Sequence, residues 1–139
     1  MKSRKPRKLT FGDALYRWRA HHRHGPRLAS EPRRCTEVFS AFREASPTCP
    51  LRVLFPETEE HGPGSPGQRG VVVDYCAPPW QLNLNRPKVA RLLIELAVKS
   101  GWVPGPVPKE FIIHDGYAFL RAHRAELDRA LLTREPPEV

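Results

Sequence analysis

Apolar positions recur along this chain with two different periods, and the change between them is its first structural signal. Over residues 10–24, Phe11, Ala14, Leu15, Trp18 and His22 fall at three- and four-residue steps, as on a helix with one apolar face. Thr10 followed by Asp13 fits the start of such a helix, the hydroxyl accepting an orphan amide and the acid standing at the positive pole of the dipole. Gly25-Pro26 ends it. The spacing therefore predicts a first amphipathic helix over 10–24 and a polar connection over 25–34. A short second helix is expected over 36–45, where Thr36 caps and Val38, Phe39 and Phe42 supply an apolar stripe.

From residue 50 the period drops to two. Leu51, Val53 and Phe55 alternate with Arg52 and Leu54, Val71 to Tyr75 is compact and β-branched, and Trp80, Leu82 and Leu84 alternate with Gln81 and Asn83. These are three strands, with the Gly- and Pro-rich stretch 56–70 an exposed loop after the first; joined by turns, they predict an antiparallel meander. Asn85-Arg86-Pro87 opens a helix over 87–100, Asn85 capping and Pro87 giving up an amide that would be orphaned anyway. The polar stripe of this helix, Lys88, Arg91, Glu95 and Lys99, is narrow enough to require burial on two sides. Gly101 is expected at the left-handed position after the helix, with Trp102 folding back onto the last turn. The alternate prolines of 103–108 exclude a helix or a central strand. Phe111 to His114 is a fourth strand, and Asp115 caps a last helix over 116–132.

The order β-β-β-α-β-α behind an N-terminal helix predicts a two-layer α+β domain: a four-stranded, mostly antiparallel sheet with helices on one face and an extra first helix. Three consecutive strands argue against a doubly wound parallel sheet. The single domain is expected over 10–134, between a flexible basic arm over 1–9 and a disordered tail over 135–139.

Composition narrows the class of protein. With 139 residues, 40% of them apolar and 27% charged, the chain suits one hydrophobic core rather than a disordered polyelectrolyte or a coiled coil. It holds no run of the roughly 18 apolar residues that cross a bilayer, and no secretory apolar region near the start. Three cysteines without a C-x-x-C pair fit reduced thiols, so a cytoplasmic protein away from membranes is expected.

The net charge of +8 changes the picture more, because it sits in one place. Residues 1–27 hold nine of the 23 Lys and Arg and one of the 15 acids, leaving the rest of the chain neutral. The expected interaction residues are Lys2, Arg4, Lys5, Arg7, Lys8, Arg17, Arg19 and Arg23, which would meet a polyanion through phosphate contacts and counterion release. Tyr16 is left for stacking, since Trp18 is expected on the buried face, and Arg33, Arg34 and Arg52 are candidates to join the patch. The expected role is a small binding module whose partner is nucleic acid or an acidic protein. The alternative is a protein–protein interaction module of immunity, adaptor or accessory-subunit type, with the arm serving only solubility. Homo-oligomerisation is compatible with both, and neither a cofactor nor enzyme activity is expected.

Chemistry-bearing groups point less clearly. On a helix His21 and His24 share a face, with Cys35 or His61 as further metal ligands, but Arg17, Arg19, Arg23 and Arg27 oppose a dication and the cluster reads as a basic helix end. His114-Asp115 lies where a strand opens onto a helix, yet capping occupies Asp115, and His123 between Leu120 and Leu127 reads as a core histidine. Residues 62–70 lack the amides of a phosphate cradle at Pro63 and Pro66. Cys35, Cys49 and Cys76 read as inert thiols, and Glu57, Glu59 and Glu60 as a solvated acidic edge.

Overall fold

The computed structural model describes residues 5–24, 35–58, 61–63, 70–76 and 78–132. Where two helices are expected, the chain forms two hairpins: β1 (Arg7–Phe11) with β2 (Ala14–His24), and β3 (Cys35–Arg43) with β4 (Ser46–Pro56). No N-terminal helix exists among the described residues. The reason is that residues 7–24 satisfy both periods. Tyr16, Trp18 and Ala20 alternate with Arg17, Arg19 and His21, and Gly12-Asp13 is a two-residue hairpin turn. Gly12 takes φ +61° at the first central position, as a type II′ turn requires. Thr10 accordingly pairs with Leu15 instead of capping, and Thr36 lies in β3 between Arg23 and Pro56. Tertiary pairing overrides the helical pattern, because the strand form buries Tyr16 and Trp18 beside Phe39 and Ala41.

The remaining elements are β5 (His61–Pro63), β6 (Val71–Asp74), β7 (Trp80–Asn83), α1 (Pro87–Lys99), β8 (Phe111–Ile113), α2 (Gly116–Ala122) and α3 (Arg124–Leu132). The α+β class holds, but the expected four-stranded sheet is replaced by two sheets: a five-stranded one ordered β1-β2-β3-β4-β8, and a three-stranded one ordered β5-β6-β7. The large sheet is antiparallel except that β8 runs parallel to β4. The expected meander is thereby divided. β4 reaches β3 through a tight turn and leaves β6 and β7 to pair with each other; the shorter connection closes with the smaller entropy loss.

Helix α1 keeps its expected place, with Pro87 in its first turn. Its N-cap is Arg86 with no side-chain cap, because Asn85 turns back and donates its amide to Asn83 Oδ1 at 2.9 Å. Its C-terminus is a Schellman motif: Gly101 sits at φ +113°, and the Trp102 amide reaches Ala97 O at 2.9 Å. The last expected helix is broken into α2 and α3 at His123, whose amide makes a tight bond to Leu120 O and whose ring packs on Phe119. Arg124 ties the start of α3 to Pro78 O at 2.9 Å. Asp115 caps α2 as expected, accepting from the Ala118 amide at 3.1 Å.

One core unites the inward residues of the large sheet (Trp18, Phe39, Leu51, Val53, Phe55) with Val72, Trp80 and Leu82 of the small sheet. Val89, Leu93, Ile94 and Leu96 of α1, with Tyr117, Leu120 and Leu127, complete it. Burial of α1 on more than one side follows from its place in that core. Among the described residues no helix is long and apolar enough to cross a membrane.

Candidate functional site

Strand alternation converts the arginine run of β2 into a row. Tyr16, Trp18, Ala20 and His22 form the inward half of the strand, and Arg17, Arg19, His21 and Arg23 the outward half. Steps of two residues set successive outward side chains about 6.7 Å apart. The register extends the row sideways. Lys8 stands opposite Arg17, Arg17 opposite Phe42, Arg19 opposite Ser40, and Ser40 opposite Arg52. The outward face thus collects Lys8, Arg17, Arg19, Arg23 and Arg52 from three strands.

A groove of about 250 Å³ opens on this face, with Arg17, Arg19 and Arg52 on its walls and Phe42, Pro47 and Pro50 among its apolar lining. Two carboxylates approach the cations. Arg17 lies 3.4 Å from Glu44, and Arg52 donates to Glu110 at 3.1 Å while its other arm reaches Ser40 Oγ at 3.3 Å. Arg19 and Arg23 have no ion pair among the described residues. Burial and then the charges of Arg19, Arg23 and Arg52 hold the His21 imidazole below its ordinary value. His21 is therefore a neutral group at neutral pH inside a positive field.

The expected interaction residues divide accordingly. Lys8, Arg17, Arg19 and Arg23 are brought together, and Lys5 is exposed just before β1. Arg7 turns the other way: its guanidinium covers the Trp18 ring at 4.5 Å and donates to Asn85 O at 2.6 Å. Lys2 and Arg4, with Arg33 and Arg34, lie outside the described residues, as do Glu59, Glu60 and the tail over 135–139. Tyr16, expected to stack on a base, is buried with its ring 5.7 Å from that of Trp102. Phe42 takes over as the aromatic of the outward face. Its signal lies in strand parity, which the helical pattern of 36–45 hides.

His114 is exposed, and Asp115 is engaged as a cap. His21 and His24 fall on opposite faces of β2, so they cannot share an ion. Cys49 is buried and donates to Gly105 O and Val107 O at 3.2 and 3.1 Å. Cys35, by contrast, lies 3.4 Å from His24 Nδ1, a neighbour that only the strand register provides.

Asp74 of β6, 1% exposed, accepts from Arg121 at 2.7 Å and from the Cys76 amide at 3.0 Å. Burial alone would raise this carboxyl, but the Arg121 and Cys76 hydrogen bonds and the Arg121 charge outweigh it and hold it below the usual carboxylate range. Tyr117 stacks on His61 with centroids 4.1 Å apart. Burial, then the charges of Glu37, Asp115, Asp74 and Glu57, push its hydroxyl well above its ordinary value, so it stays a neutral phenol.

Comparison of the chain with protein-family models, with curated proteins and with solved structures finds no match.

Proposed function

We propose that this chain is a binding module that engages single-stranded nucleic acid across the outward face of its large sheet, assisted by the basic residues that precede β1. The observation that carries this reading is the convergence of Arg17, Arg19 and Arg52 around a groove that also presents Phe42. Arginines supply phosphate contacts and release counterions; an aromatic ring offers a platform to a base of any sequence. Arg17 and Arg23 are six residues apart on one strand, roughly 20 Å at strand rise, so the row suits an extended polyanion. An acidic protein is the competing partner, and it would draw on the same cations without needing Phe42.

The test is fluorescence anisotropy of a labelled single-stranded oligonucleotide over a salt series. Wild type should bind with a negative slope of log affinity against log salt. Arg19→Glu with Arg52→Glu should flatten that slope by about 1.4, at roughly 0.7 for each phosphate no longer neutralised. A chain starting at Pro6, which keeps β1 whole, separates the contribution of the preceding bases. Affinity without salt dependence, or unchanged in the double variant, refutes the proposal. Preferential binding of an acidic polypeptide, with Phe42→Ala inert, transfers the face to a protein partner.

A further inference from the structure

The inward half of β2 ends in a second group of polar side chains, beyond the hydrophobic core. His22 and His24 are two residues apart and share a face, and the register sets Glu37 opposite His22 and Cys35 opposite His24. One ring nitrogen from each histidine and the Cys35 Sγ all lie within 4.8 Å of one another. The two imidazoles meet edge to face with centroids 4.6 Å apart. His24 Nδ1 and Cys35 Sγ are 3.4 Å apart. Metal–nitrogen and metal–sulfur bonds of about 2.05 and 2.3 Å meeting at a tetrahedral angle would separate those atoms by about 3.6 Å. The pair already stands close to the edge of a zinc tetrahedron.

What lies behind these three residues points the same way. His22 Nδ1 is 2.5 Å from Glu37 Oε1, and Glu37 is 5% exposed, its other oxygen accepting the Gly70 amide at 3.3 Å. A carboxylate on Nδ1 fixes the tautomer and orientation of an imidazole and leaves Nε2 for an ion, as it does behind most histidine ligands. A second carboxylate, Glu57, accepts the Cys35 amide at 3.2 Å. Of the arginines that would repel a dication from a helical cluster, Arg17, Arg19 and Arg23 are carried to the other face of the sheet by strand parity.

We propose that His22, His24 and Cys35 bind a divalent transition metal of the zinc class, with Glu37 as the positioning carboxylate behind His22. Two imidazoles and a thiolate select a borderline or soft ion over magnesium or calcium. Three protein ligands leave a fourth position for water or an exogenous ligand, and exposed His24 lies at the solvent side. The other compact group, His61, Asp74 and Cys76, is excluded by its own cation. Arg121 holds Asp74 at 2.7 Å and lies 3.3 Å from His61 Nε2, filling the place an ion would take.

The experiment is titration of the reduced full-length chain with cobalt(II), then displacement by zinc. One equivalent should give the intense visible bands of a tetrahedral site with a thiolate-to-cobalt charge-transfer band. Cys35→Ala should abolish that band and Cys76→Ala should keep it. Glu37→Gln should retain the band and weaken zinc binding by 10- to 100-fold; unchanged affinity there overturns the role given to Glu37. On the unaltered protein, zinc should slow iodoacetamide labelling of Cys35, read by peptide mass spectrometry, while leaving Cys76 unprotected. No thiolate band at stoichiometric cobalt, a band that survives Cys35→Ala, or labelling of Cys35 indifferent to zinc overturns the site.

Discussion

Gly116→Ala should destabilise the protein although it adds one methyl at the start of a helix. A β-carbon at Gly116 would lie 2.5, 2.6 and 2.8 Å from Cε1, Cζ and Cδ1 of Phe55. Carbon atoms settle at about 3.5–4.0 Å, so the ring or the helix must yield by about 1 Å. Neither has slack. Phe55 is 1% exposed in the middle of the core and meets the Tyr117 ring edge-on at 5.2 Å. Overpacking of this kind costs about 1–3 kcal/mol, and the entropy lost by removing a glycine from the unfolded chain offsets about 0.4–1 kcal/mol. The expected net loss is about 1–2 kcal/mol, or about 3–10 °C in Tm for a domain of this size. Urea unfolding followed by tryptophan fluorescence reads it directly, with an unchanged slope as the check that only stability has moved. Phe55→Leu makes room for the methyl, so the double variant should be more stable than the sum of the singles by at least about 0.5 kcal/mol. A Gly116→Ala protein as stable as wild type, or a strictly additive cycle, refutes the packing of α2 on β4 described above.

Gly101→Val is expected to cost about 1–2 kcal/mol through backbone strain alone, since φ is +113° and only the Phe111 ring, 4.0 Å away, approaches the added carbon; an unchanged thermal midpoint would contradict the Schellman end of α1. The depressed Asp74 carboxyl makes a contribution to stability that is full above its unfolded value near pH 3.9 and disappears as pH falls through the lower folded value. Asp74→Asn should therefore be less stable than wild type at pH 7 and lose less on acidification below pH 4, and parallel stability–pH curves would show that the Arg121 pair is not responsible.

How much of this was legible in the sequence depended on whether a segment's period was unique. Helix α1 was readable because Pro87, the narrow polar stripe and Gly101 agree, and β6 and β7 because β-branched and alternating residues sit between turn signals. Residues 10–24 misled because Trp18 and His22 lie on an apolar face in either conformation, and Thr10-x-x-Asp13 imitates a cap where Gly12-Asp13 is a turn. Once that segment is taken as a helix, 36–45 loses its neighbour and β4 its true partner. The site fared in the same way. Arg17, Arg19 and Arg23 were singled out by charge, but Phe42 and the standing of Arg52 follow only from cross-strand register. The pairing of His22 with His24, rather than His21 with His24, changes with the period itself.

β2 therefore serves two masters with one reading frame: Arg17, Arg19 and Arg23 look out as cations, and His22 and His24 lie on the other side as imidazoles. Substitutions in it are separable, each silencing one surface. A single residue inserted after Tyr16 is not, because every later side chain would exchange sides at once, sending guanidinium groups toward the core and Trp18 out of it. The strand can thus change its letters one at a time but not its length.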